Sequence, residues 1–370
     1  MNKILYEEII AFHPGYYVKE LIEDLAMTQS ELAKRLETTG KTVSDLVNGR
    51  INLTDEMALK LSIVFGTSIE MWLNLNKTYI QKKIEIERRV SEDEQCKIMK
   101  AIDYKFWETM KLVEPAKKTI DKVRELQKFF KVSTLSVLKR RDFLVQYRTA
   151  IPEVNDTNVI NANAWVQTAI NIGRNINVNK FQRKKLTSFL PEIRKMTVQS
   201  VEVFLPELKK LLASCGVALV VMPNLKNCGV NGAVKWLNKD KVLLAINDRR
   251  KYADTFWFSL FHELGHVLQK RITMLIISDQ NSNWIEEDEL MIKLEEDADV
   301  FSKNMLIPKD EYLMFINEQR FDEVSIIEFA DKAGIHPGIV LGRLQKEGYV
   351  SYKTNLNSLK QKYCFISSTK

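Results

Sequence analysis

Two of the chain's four histidines, His262 and His266, stand four residues apart with Glu263 beside the first, in the run Phe261-His-Glu-Leu-Gly-His-Val267. Random placement gives four histidines that spacing in roughly 3% of chains of this size, and the intervening glutamate makes it rarer. The spacing restricts the local fold. Only a helix stacks residues i and i+4 on one face, one turn apart, where two imidazoles can share a tetrahedral metal ion. The flanks fit a helix, because Trp257, Leu260, Phe261, Leu264, Val267 and Leu268 recur at helical spacing without proline. Asp254 or Thr255 is positioned to cap it. Gly265 weakens the interior by about 1 kcal/mol and is expected to leave space beside the metal. Glu263 would point to the side of that metal, where it could take a proton from a water acidified by the ion.

Two histidines need a further protein ligand and an open position for water. A second helical stretch, Glu295-Glu-Asp-Ala-Asp-Val-Phe-Ser-Lys-Asn-Met-Leu-Ile-Pro308, carries Leu294, Ala298, Phe301 and Met305 at burial spacing and stops at Pro308. Glu295 and Asp299 share one face of it. That pair suits a metal ligand together with an acceptor that holds one imidazole N–H. The upstream run Glu286-Glu-Asp-Glu289 reads as a solvated helix start. His336 lies in an Ile335-His-Pro-Gly338 turn and reads as structural, its alternative being stabilisation of an oxyanion.

HELGH, followed some thirty residues later by Glu-x-x-Ala-Asp-x-Phe and Met-Leu-Ile-Pro, resembles the ImmA/IrrE group of gluzincin-type metallopeptidases. The lead-in segments Gly216-Val-Ala-Leu-Val-Val, Gly232-Ala-Val-Lys-Trp-Leu237 and Ala245-Ile-Asn-Asp are similar to that group as well. The resemblance implies one Zn2+ held by His262, His266 and Glu295, with Glu263 as general base and Asp299 orienting a histidine. Glu296 and Asp297 are the rival ligands, and the spacing to Ala298 favours Glu295.

A second signal, in the first 80 residues, is independent of the first. Thr28 with Glu31 forms a capping box, Thr54 precedes Met57, Ala58 and Leu61, and Ser68 precedes Met71, Trp72 and Leu75, giving about five short helices. The pair at 28–37 and 40–48 has the pattern of a helix-turn-helix. Leu32, Ala33 and Leu36 would face Val43, Leu46 and Val47, and small Ala33 permits the steep crossing. The stretch resembles phage-repressor-like (XRE) modules, and Trp72-Leu-Asn-Leu-Asn is similar to the antidote-protein branch of HigA antitoxins. That resemblance implies a double-stranded DNA operator, with Thr28 and Gln29 near phosphate and Lys41, Thr42, Ser44 and Asp45 facing bases. Arg50 is a further candidate phosphate contact. The turn glycine usual in this motif is replaced by Glu37, so a shifted or lengthened turn is expected.

Charge moderates the DNA reading. Residues 1–80 total −3, residues 81–200 total +11 and residues 201–370 total −1. The module expected to read DNA is therefore not basic as a whole, and tight binding would need dimerisation or help from the basic connector. The expected architecture is mainly α with an α+β C-terminal domain. It comprises a lambda-repressor-like bundle at 1–80, a helical connector at 81–200, broken near Pro152–Asn163 and at Asn175–Asn179, and a gluzincin-like core at 201–370. Strands are expected near 217–222, 232–237 and 241–246, leading into the metal helix. Helix-turn-helix echoes at 125–134 and 329–344 read as ordinary antiparallel helix pairs.

Cys96, Cys215, Cys228 and Cys364 show no CxxC spacing, so free thiols are expected. With no run of eighteen apolar residues and no signal-peptide pattern, a cytoplasmic protein without a membrane partner is expected. The functional expectation is a homodimeric DNA-binding regulator carrying a zinc metallopeptidase that cleaves a repressor or itself. Its competitor is a non-catalytic antitoxin or autorepressor whose metal domain senses a ligand or binds a toxin.

Overall fold

The computed structural model describes residues 2–141, 143, 155–248, 251–269, 284–363 and 365, with 284–291 described by backbone alone. The chain divides into two compact units, Met1–Lys97 and Ile98–Lys370.

The first unit opens with a hairpin not anticipated from sequence. Strands β1 (Lys3–Tyr6) and β2 (Ile9–Phe12) pair antiparallel, Lys3 opposite Phe12 and Tyr6 opposite Ile9. Five helices follow: α1 (Pro14–Asp24), α2 (Gln29–Arg35), α3 (Gly40–Val47), α4 (Asp55–Phe65) and α5 (Ile69–Met99). The His13 ring caps α1, and hydroxyl caps start the other four. Thr28 accepts from the Glu31 amide at 3.1 Å, Thr54 from Met57 at 3.2 Å and Ser68 from Met71 at 3.2 Å, and Thr39 does the same for α3 from Thr42 at 3.1 Å. Each such cap is worth about 1 kcal/mol. Leu32, Ala33, Leu36, Val43, Leu46, Val47 and Trp72 close one core. The boundary expected at residue 80 falls inside α5, which runs unbroken for 31 residues, so the unit ends at Lys97.

In the second unit come α6 (Lys105–Thr109), α7 (Thr119–Phe130), α8 (Asp156–Arg174), α9 (Arg183–Lys195) and α10 (Val201–Ser214). A three-stranded sheet follows: β3 (Val217–Met222), β4 (Gly232–Asn238) and β5 (Lys241–Asn247), in the order β3-β5-β4. β5 runs parallel to β3 and antiparallel to β4. Among the described residues, five helices complete the unit: α11 (Ala253–Leu268), α12 (Trp284–Leu306), α13 (Lys309–Asn317), α14 (Glu323–Ala333) and α15 (Pro337–Lys346).

Alternation along β5 explains how the central strand is covered. Val242, Leu244 and Ile246 face the large core shared with α10 and α11, whereas Leu243 lies against Gly173 of α8, where a Cβ would stand 2.6 Å from its Cδ1. The expected break before Asn163 is corrected here, because residues 156–163 are the first turns of α8. Its asparagines are buried and their side-chain amides donate to backbone carbonyls: Asn158 to Asn227, Asn161 to Ala101, and Asn163 to Leu138 and Arg140, all at 2.8–2.9 Å. A composition that signals a loop when solvated here ties neighbouring loops to a core helix. The 81–200 connector is likewise not a separate piece. Leu186, Leu190 and Ile193 of α9 belong to the same core as α11.

Candidate functional site

One face of α11 builds the C-terminal site. Trp257, Leu260, Phe261, Leu264 and Val267 sink into the core, which fixes the rotation of the helix and turns His262 and His266 towards α12. The helix begins one or two residues before the expected caps. Tyr252 is the N-cap, without a side-chain cap bond, while Asp254 is drawn into an ion pair with Lys360 at 2.9 Å. Gly265 has a different role from the one expected. A Cβ there would lie 3.1 Å from Phe301 Cδ1 and 3.3 Å from Ala298 Cα, so the missing side chain admits the backbone of α12 rather than leaving room beside a metal. Ser302 Oγ then donates to the Phe258 carbonyl at 2.8 Å and pins the crossing.

That close approach brings three groups together. The Nε2 atoms of His262 and His266 are 3.0 Å apart, and Glu295 places Oε2 3.4 Å from the first and Oε1 3.3 Å from the second. Glu296 and Asp297 point to the exposed side of α12. Asp299 Oδ1 accepts from His262 Nδ1 at 2.8 Å, and Gln269 Oε1 lies 2.9 Å from His266 Nδ1. Among the described residues, His262, His266 and Glu295 form the cluster able to hold a metal ion.

The donor set fits a divalent metal on physical grounds. With both Nδ1 atoms committed to acceptors, the neutral imidazoles present bare Nε2 lone pairs to each other and to a carboxylate. Three acceptor groups so close require a cation or extra protons between them. The proton affinities express the same demand. Burial, the largest influence, lowers the His262 value, but hydrogen bonds to Asp299 and Glu295 and the fields of Glu263 and Glu295 outweigh it and hold the ring up at about 10. Glu295 responds inversely, since burial raises it but both imidazoles hold it well below the usual carboxylate range.

Glu263 is 8% exposed and abuts β4, where a Cβ on Gly232 would meet its Oε1 at 2.5 Å. Burial pushes its carboxyl up to about 7 despite the opposing fields of His266 and His262. A cleft of about 590 Å3 opens over the cluster, lined by Gly232, Phe258, Glu263, Leu306 and Ile339 among others. His336 is absent from the described lining. It caps α15 instead, Nδ1 accepting from the Gly338 amide at 3.1 Å. The backbone of the 286–289 acidic run lies in the first turns of α12, and its side chains fall outside the described residues, as does Cys364.

In the N-terminal unit, α2 and α3 pack through the expected faces. The turn is neither shifted nor lengthened, because Glu37 adopts the left-handed conformation itself (φ 50°) and Thr38 N–H bonds to the Ala33 carbonyl at 2.9 Å. A non-glycine residue there carries a modest strain. Thr28 is held as the α2 cap and Gln29 is half-buried. On α3, Lys41 is exposed; Thr42 shares a hydroxyl bond with Thr39 at 2.8 Å; Ser44 accepts weakly from Asn48 at 3.4 Å; and Asp45 pairs with exposed Arg50 at 3.4 Å.

A helix-turn-helix family model matches residues 18–72. The HTH-type transcriptional regulator YddM of Escherichia coli is 37% identical over 79 residues, covering 20% of this chain and 84% of that protein. The chain belongs to the HTH-type transcriptional regulators. Antitoxin HigA-1 of Vibrio cholerae is 32% identical over 84 residues, 22% of this regulator and 74% of HigA-1. Among solved structures, an addiction module antidote protein of a HigA family from Coxiella burnetii is 36% identical over 20% of this regulator and 80% of that chain, with a TM-score of 0.19. Family membership rests on the sequence matches to the N-terminal module.

Two residues of this regulator's C-terminal site escaped sequence reasoning. Gly232 is visible in sequence only as a strand residue, and Gln269 follows the metal motif without any periodic signal. Packing of β4 against α11 brings Gly232 to the site, whereas Gln269 reaches His266 from the end of the same helix and is held there by its bond to Leu294 of α12.

Proposed function

We propose that this regulator binds an operator through its N-terminal unit and carries, in its C-terminal unit, a zinc-dependent peptidase of the ImmA/IrrE type. The observation that carries the second half is the convergence of half-buried His262, buried His266 and Glu295 beside a carboxyl whose proton affinity is raised to about 7. His262, His266 and Glu295 would hold Zn2+, a two-histidine, one-glutamate set suited to that ion. When bound, the ion supplies Lewis acidity to a substrate carbonyl and to water beside it. The Glu263 carboxylate would receive a proton from the attacking water and return it to the leaving amine, a task matched by its raised proton affinity. Asp299 fixes the His262 tautomer. The substrate class is a repressor protein or another copy of this chain.

For the N-terminal half, α3 presents Lys41, Thr42, Ser44 and Asp45 as base-facing candidates, with Thr28, Gln29 and Arg50 positioning the module on phosphates. A homodimer on a two-fold repeated operator would supply the affinity that a −3 module lacks.

Glu263→Gln separates peptidase from sensor. The variant should retain stoichiometric zinc and operator binding but lose cleavage of candidate repressors and of itself. Unchanged regulation in cells carrying the variant would instead support a ligand-sensing or toxin-binding antitoxin, towards which the likeness to HigA-1 points.

A further inference from the structure

We infer that Gln269 is the positioning residue for His266. It sets the imidazole tautomer so that Nε2 faces the cluster as a lone pair, and it locks that ring to the backbone next to Glu295. The inference rests on the metal-site reading above and adds to it the support for one ligand.

The argument starts from the amide. Gln269 Nε2 donates to the Leu294 carbonyl at 2.7 Å, and a carbonyl can only accept. The orientation of the side-chain amide is thereby settled, and its Oε1 is the atom 2.9 Å from His266 Nδ1. An amide oxygen also only accepts, so Nδ1 must carry the proton. Neutral His266 then has its free lone pair on Nε2, the atom 3.0 Å from His262 Nε2 and 3.3 Å from Glu295 Oε1. His262 reaches the same tautomer through a carboxylate, Asp299. The two ligands are thus held by acceptors of different charge.

Geometry adds a second function. Gln269 is the C-cap of α11, and its amide N–H bonds back to the carbonyls of Gly265 and His266. Its side chain therefore leaves from a fixed backbone. Leu294 directly precedes Glu295 and is buried on α12. A single amide thus ties the α11 end bearing His266 to the α12 turn bearing Glu295, adding a tether beside the ligands to a crossing that Gly265, Ala298 and Ser302 hold close.

The test uses the full chain in metal-free and zinc-loaded forms. With four histidines in the sequence, nitrogen-15 histidine spectra can be assigned by single substitutions. In metal-free wild type, at a pH high enough to leave both rings neutral, His266 should show the Nδ1–H tautomer. Gln269→Met, nearly isosteric but unable to accept in this way, should shift His266 towards Nε2–H, leave His262 unchanged and weaken zinc affinity about 10- to 100-fold in chelator competition. Gln269→Glu restores an acceptor for Nδ1 and should recover the tautomer, although it cannot donate to Leu294. A merely structural residue would lower stability in both variants without moving the tautomer. An unmoved His266 signal and unchanged zinc affinity in Gln269→Met overturn the assignment. Absence of zinc binding by the wild type would refute the metal-site reading, and this inference with it, before any variant is compared.

Discussion

Replacing Gly232 with alanine tests whether β4 sets the position of Glu263. The added Cβ would stand 2.5 Å from Oε1, 2.7 Å from Cγ and 2.8 Å from Cδ, whereas ordinary contacts begin at 3.4 Å. The three nearest atoms all belong to one side chain, so Glu263 must move or β4 must. Glu263 cannot swing freely, because it is 8% exposed and sits on a helix locked into the core. Overpacking of this kind costs about 1–3 kcal/mol. If the displacement falls wholly on Glu263, the proposed general base, that range corresponds to roughly 5- to 150-fold in turnover. The candidate zinc ligands His262, His266 and Glu295 are other side chains, so zinc content should match that of the wild type. The assay is peptide hydrolysis by zinc-loaded full-length protein, with elemental analysis as the control. A stability cycle gives a second readout that does not need activity. Gly232→Ala should destabilise the wild type more than it destabilises Glu263→Ala, with a coupling of about 0.5–3 kcal/mol from the shared contact. Additive stabilities, together with full activity in Gly232→Ala, would refute the placement of Glu263 against this strand.

Acid should destabilise the N-terminal unit through His13. Burial holds its imidazole below the ordinary value of 6.5, Lys83 and the chain amino group act in the same direction, and a backbone contact at Ile51 opposes them. As pH falls through 6.5 the unfolded chain takes up a proton that the folded one resists, so stability present above that pH is lost below it. His13→Asn keeps a cap acceptor for the Gly15 amide and should flatten the decline, read as the urea midpoint against pH. On DNA, Lys41→Ala should weaken or relax operator binding, while Arg50→Ala should lower the salt slope by about 1 with little change in sequence preference. Equal affinity of the wild type for its own upstream region and for random duplex would defeat the operator-binding proposal.

The helices of the N-terminal module were legible because their determinants are local. Thr28, Thr54 and Ser68 each cap a helix three residues ahead, and a cap needs nothing from the rest of the fold. The hairpin before them was not legible, because Glu7-Glu8 is an untypical turn and Glu7 takes φ 51° without being glycine. The end of α5 was missed for the opposite reason. A residue-80 boundary closed the module soon after Trp72-Leu-Asn-Leu-Asn, whereas the helix continues through alternating charges with no stop signal before Met99. At α8 the propensity of asparagine for turns misled, since the side chains that usually compete with a helix are occupied by loop carbonyls.

The C-terminal site divides along the same line. His262 and His266 belong to one helix, so their relation is fixed by 3.6 residues per turn and could be derived from spacing. Glu295 needed the further premise that α12 crosses α11, and the small residues Gly265 and Ala298 make that crossing close. Gly232 and Gln269 needed the actual register of β4 and the actual reach of a C-cap side chain, neither of which leaves a periodic trace. What is unreadable in sequence is therefore the set of groups that hold the candidate ligands and base at fixed distances. A protein could keep the motif intact and lose function through any of them, so an unbroken HExxH does not by itself predict turnover. The decisive residues for that question in this chain are the amide behind His266 and the bare backbone facing Glu263.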